Sequence, residues 1–95
     1  GQHADPFVRE FVLYQNYPNP FNPATHICYT INNPTKVNLS IYDINGRKVS
    51  ELVNANQGIG YYKITFEPNN LATGVYFYCL KVGQFSTIKR MTYLK

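Results

Sequence analysis

Apolar residues recur at every second position along this chain and nowhere with the 3.6-residue period of a helix, and that alternation is the tightest constraint on what it can fold into. The runs FVLYQ (Phe11 to Gln15), THICYTI (Thr25 to Ile31), KVNLSIY (Lys36 to Tyr42) and RKVSELV (Arg47 to Val53) are short and β-like. So are GYYKITFE (Gly60 to Glu67), GVYFYCLKV (Gly74 to Val82) and STIKRMTYLK (Ser86 to Lys95). Turn-forming stretches separate them: NNPT, DING, NANQGIG, PNNLATG and VGQ. Seven runs at this spacing, with no helix to cover a parallel sheet, predict an all-β fold, an antiparallel β-sandwich. Ile27, Tyr29 and Ile31 share one face of the second run, and Val37, Leu39 and Ile41 one face of the third, so these are expected in the core. Tyr76, Tyr78 and Leu80 are expected there from the sixth, the most aromatic run and a central strand by its composition. Asn45-Gly46 is expected to supply both positive-φ positions of a type I′ turn, making a hairpin of the third and fourth strands.

The chain has 95 residues, room for a single core. Residues 1–9 read as linker, with Gly1 a remnant of cloning, and 10–95 as the domain. A hydrophobic share of 44% and an aromatic share of 16% supply a packed interior and argue against a disordered tail. No apolar run has the length of a membrane span, so membrane insertion is not expected. Starting without Met, the chain reads as a piece of a longer polypeptide, and the missing signal peptide says nothing about export of the parent. The formal charge is +4, yet the basic residues are scattered apart from Arg47-Lys48 and Lys89-Arg90. A nucleic-acid reader would concentrate them on one face, so none is expected as a partner.

The stretch QNYPNPFNPAT, Gln15 to Thr25, is neither helix nor regular strand. Pro18, Pro20 and Pro23 fix their own φ and press Tyr17, Asn19 and Asn22 toward extended geometry. The asparagines bond to nearby backbone in place of ladder bonds, and Tyr17 and Phe21 are expected to anchor a stiff crossover onto the end of the sandwich. Such a segment is either a plain corner between sheets or a preformed surface feature that a partner reads.

Catalysis finds little support. Asp5, Glu10, Asp43, Glu51 and Glu67 are widely separated, and no nucleophile-base set has a local signature. His26 and Cys28 fall on one strand face, but two ligands do not make a zinc site, and an ordinary outward-facing pair explains them. The DING turn lacks the remaining ligands of a calcium loop. No catalytic, cofactor or metal residues are assigned.

The segments LYQNYPNPFNPATHICYTI, VNLSIYDINGRKVSELV and GVYFYCLKVG, with the terminal TIKRMTYLK, closely resemble the type A C-terminal sorting domain of the bacterial type IX secretion system. The resemblance runs from about Phe11 to Lys95. It implies an immunoglobulin-like sandwich that directs an N-terminally fused cargo from the periplasm through the outer membrane. In that family a surface sortase commonly removes the domain and attaches the cargo to a lipopolysaccharide. Carried over by position, Pro18, Asn19, Pro20 and Phe21 match the first motif and Asp43, Gly46 and Arg47 the D-x-x-G-R motif. Gly74 and Tyr76 match G-x-Y, and Lys89, Arg90 and Lys95 the basic end. The implied partners are the type IX apparatus and the sortase. A binding module of a secreted protein, such as a carbohydrate-binding or adhesion sandwich, is the alternative, and it would place exposed aromatics in a planar strip on one sheet.

Cys28 and Cys79 occupy the second and sixth strands, the pair bridged in antibody-type domains, and an exported protein permits such a bond. Alternation instead turns both outward on opposite surfaces, too far apart to bridge, which favours free thiols.

Overall fold

The computed structural model describes residues 11–95; the expected linker, residues 1–9, and the acids Asp5 and Glu10 lie outside the described residues. Seven strands form: β1 (Phe11–Leu13), β2 (Thr25–Ile31), β3 (Thr35–Tyr42), β4 (Lys48–Gln57), β5 (Gly60–Phe66), β6 (Gly74–Val82) and β7 (Phe85–Tyr93). They pair into a three-stranded sheet, β1-β2-β5, and a four-stranded sheet, β4-β3-β6-β7, with every pairing antiparallel. This is the expected sandwich, with the fourth strand paired to the third rather than joined to the sheet of the first. Among the described residues no helix is long and apolar enough to cross a membrane.

The period-two pattern explains the packing. In β3 and β6 Val37 lies opposite Val82, Leu39 opposite Leu80 and Ile41 opposite Tyr78. All six face Ile27, Tyr29 and Ile31 of the other sheet, and every one of these side chains is buried. Each contributes about 1.5–3 kcal/mol by leaving water. Tyr29 stacks on Tyr62 with ring centroids 5.3 Å apart and donates its hydroxyl to Gln57 Oε1 at 2.7 Å. β4 runs through Asn54–Gln57, a stretch with turn-like composition, by pairing with Thr35–Asn38, and its far end also meets the polar tip of a core tyrosine. Register shifts against β3 leave Val49 and Leu52 as extra residues. Two bulges and a row of asparagines guard β4, an edge strand, against foreign pairing.

The β3–β4 hairpin forms, but through a different turn from the one expected. Gly46 has φ 80°, whereas no non-glycine residue among those described has positive φ, Asn45 included. Gly46 N–H donates to Asp43 O at 3.0 Å and Asp43 N–H to Arg47 O at 2.9 Å. The connection is therefore a type I turn over Ile44 and Asn45, closed by Gly46 in the left-handed region as a bulge. Asn45 is spared positive φ because Asp43 Oδ1 accepts its N–H at 2.9 Å. The β6–β7 turn needs only Gly83, at φ 58°, as the first position of a type II′ turn.

Both cysteines are free and lie on the outer faces of opposite sheets, as alternation requires, but both are buried. The neighbouring Cys28 thiol raises the Tyr61 phenol pKa. Since strand direction alternates, the connections after β1, β3 and β5 and the residues after β7 gather at one end of the sandwich.

Candidate functional site

Phe21 is the keystone of that end. It is 1% exposed, with its ring 5.1 Å from Tyr93 and 6.1 Å from Phe66. Its N–H donates to Thr92 O at 3.0 Å, and its carbonyl accepts the Leu94 N–H at 3.1 Å. Asn19 Oδ1 accepts the Thr92 N–H at 3.0 Å, and Gln15 Nε2 donates to Arg90 O at 2.8 Å. The proline corner is thus laid along the open edge of β7, its side chains and backbone replacing a neighbouring strand. Its Asn19 bonds a residue 73 positions away rather than nearby backbone. The three X–Pro bonds of the corner are cis.

Beneath the corner runs a buried polar network. Asn16 N–H donates to the Tyr78 hydroxyl at 2.8 Å, which donates onward to Tyr14 O at 2.9 Å. Asn16 Nδ2 donates to Thr25 Oγ1 at 3.0 Å, and Thr25 Oγ1 to Pro18 O at 2.9 Å. Burial pushes the Tyr78 phenol up to about 12, against the opposing effect of the Asn16 N–H. Among the described residues no buried side-chain nitrogen or oxygen lacks a partner. Tyr17, expected as a second anchor, is instead 59% exposed, with its ring 5.6 Å from His26. The corner needs only one buried ring, because Phe21 fills the space between Phe66 and Tyr93.

The other motif residues take distinct places, with Gly74, Tyr76, the β3–β4 turn and Lys95 at the same end and Lys89 and Arg90 midway along β7. Gly74 pairs with Tyr93, Tyr76 donates its hydroxyl to Ala72 O at 2.7 Å, and Lys95 N–H donates to Thr73 Oγ1 at 2.8 Å. The start of β6 and the tail therefore meet beside Phe21. In the β3–β4 turn Asp43 accepts from the N–H groups of Asn45 and Arg47, and from Arg47 Nε at 3.2 Å. These bonds, led by the Arg47 N–H, hold the Asp43 carboxyl below the usual carboxylate range. The basic residues diverge: Lys89 is half-buried opposite Tyr78, whereas Arg90, opposite Phe77, and Lys95 are exposed. Among the described residues no group of three or more His, Cys, Asp or Glu side chains is arranged to hold a metal.

The model of one family, the secretion system C-terminal sorting domain, matches residues 15–93. The chain belongs to that family. No curated protein matches it. As a type IX sorting domain it is the signal that sends a cargo through the periplasm to the cell surface or the extracellular space. The family interacts with the type IX secretion system, carries N-terminal cargo and is non-catalytic. The match opens at Gln15, which reaches β7, and closes at Tyr93, which packs on Phe21. The match thus takes in Asn19, Phe21 and Thr92 of the interlock, with Leu94 one residue beyond it.

Sequence reasoning missed Gln15, Asn16 and Tyr78 as parts of this end. Their bonds span 62 to 75 residues, so no local pattern announces them. It also passed over Phe77 and Cys79, though the signal was present: β6 is apolar on both faces, which a sheet with one wet face does not require.

Proposed function

We propose that the export apparatus reads the end of the sandwich where the proline corner, the D-x-x-G-R turn, the start of β6 and the C-terminal residues gather. The observation that carries this is the interlock of Phe21 and Asn19 with Thr92 and Leu94, which makes two separate sequence motifs one rigid surface. Such a preformed surface loses little entropy when a partner docks. Pro18, Asn19, Pro20, Gly74, Asp43, Gly46 and Arg47 shape it, Lys95 gives it positive charge, and Arg90 flanks it from midway along β7. Lys89 contributes less, being turned toward the sandwich. The chain does no chemistry of its own, and a surface sortase removes it after translocation. Residues 1–9 act as the linker to the cargo and 10–95 as the folded signal. Fusing residues 1–95 behind a signal peptide and a fluorescent reporter, in a host with this system, tests the reading. The reporter should reach the surface, and exchange of the corner for a flexible Gly-Ser loop should stop it. Full delivery by the loop-exchanged fusion would refute the reading.

A further inference from the structure

On the outer face of the four-stranded sheet, beside the β3–β4 turn, Tyr42, Phe77 and Cys79 floor a groove of about 570 Å³ walled by Ile44 and Ile88 and rimmed by Lys81. Ile44 is 69% exposed and Ile88 62%, so two branched aliphatic chains stand in water on either side of an aromatic floor. The floor belongs to the two inner strands of the sheet, and the Asp43 bonds hold the wall at the turn. Asp43 and Lys81 both line the groove, but Arg47 offsets the Asp43 carboxylate, so the charge left over is positive. Of the described acids Asp43, Glu51 and Glu67, Asp43 is engaged by Arg47 and Glu51 by Lys48 at 3.3 Å. Lys81 at the rim and Arg90 across from Phe77 have no carboxylate partner among the described residues.

Building on the end-face reading above, we infer that this groove seats a bulky apolar side chain of an extended segment of the export apparatus whose neighbouring residues are carboxylates. The volume lies within the range of small binding sites, enough for a large side chain and its flanking backbone. The unpaired cations complement acids on either side of that anchor and speed its approach. An exposed apolar patch rimmed by polar residues is the surface signature of such contact.

The folded domain, residues 1–95, is titrated by NMR with a synthetic peptide of alternating Glu and Phe and with its Lys-for-Glu counterpart. The acidic peptide should shift the amides of Gly46, Phe77, Cys79 and Ile88 and bind roughly tenfold more tightly than the basic one, a preference that added salt reduces. Equal binding of both peptides, or shifts confined to other faces, overturns the inference. In the reporter fusion, the variant Ile44→Ser/Lys81→Glu/Ile88→Ser should lose delivery about tenfold with its melting midpoint preserved; if its midpoint falls, Ile88→Ser alone carries the test. Normal delivery by the groove variant beside failed delivery by the corner exchange overturns the groove and leaves the end-face reading intact. Normal delivery by both overturns the two together.

Discussion

Gly46 carries the β3–β4 turn at φ 80°, and nothing lies within 4 Å of where its Cβ would be. A Val there meets no clash, so its cost is backbone strain alone, about 1–2 kcal/mol. Denaturant unfolding of Gly46→Val should show that loss, and an unchanged midpoint would contradict the turn geometry. Tyr78 gives a pH dependence of defined sign. A free phenol titrates near 10, and burial raises Tyr78 to about 12. The fold therefore prefers the protonated phenol: its contribution is complete below about pH 10 and disappears as pH rises toward 12. Tyr78→Phe should cost about 1–3 kcal/mol at neutral pH, because Asn16 N–H and Tyr14 O lose their partner, and should flatten the alkaline loss of stability. Tyr29, also raised by burial, leaves some slope behind. The glycine at Gly46 was legible in the sequence, but the turn type was not, since it depends on which way the Asp43 carboxylate points. The outward facing of Cys28 and Cys79 was legible too. The burial of Cys28 was not, because Tyr61 of a neighbouring strand lies beside it, whereas the burial of Cys79 was announced by a β6 that is apolar on both faces.

At the scale of elements, the sandwich and its core follow from alternation, while the limits of β1 and β4 follow from contacts between distant segments. β1 stops at Leu13 because the chain then turns to seat Asn16 under Tyr78. β4 continues to Gln57 because pairing with Thr35 outweighs the weak strand preference of Asn54 and Asn56. The proline corner was legible as a rigid segment, but its attachment to β7 was not. Phe21→Ala should cost about 3–5 kcal/mol and raise hydrogen exchange at the Thr92 and Leu94 amides together, since the cavity opens beside Tyr93. Unchanged exchange at those amides would show that the corner does not hold the edge of β7. Cys28 and Cys79 should both react with iodoacetamide in denaturant without prior reduction, and slowly in the native state. Burial raises the Cys79 thiol pKa and so lowers its reactive thiolate fraction. A pair that resists alkylation until reduced would contradict their placement on opposite faces.

For the molecule as a whole, strand alternation brings the proline corner, the D-x-x-G-R turn, the start of β6 and Lys95 to one end, with Lys89 and Arg90 midway along β7, and the interlock of corner and tail makes recognition of that end depend on both. Family membership fixes the role of the domain as a sorting signal; the end-face account concerns which surface is read. Arg90 and Lys95 are exposed and Lys89 is half-buried, so none of the three is a core residue. Surface changes of this kind usually stay within about 0.5 kcal/mol each. The most direct measurement sets thermal stability beside surface delivery of the reporter fusion for the variant Lys89→Gln/Arg90→Gln/Lys95→Gln. The account predicts a nearly unchanged melting midpoint and a sharp fall in delivery, while full stability with undiminished delivery would contradict it.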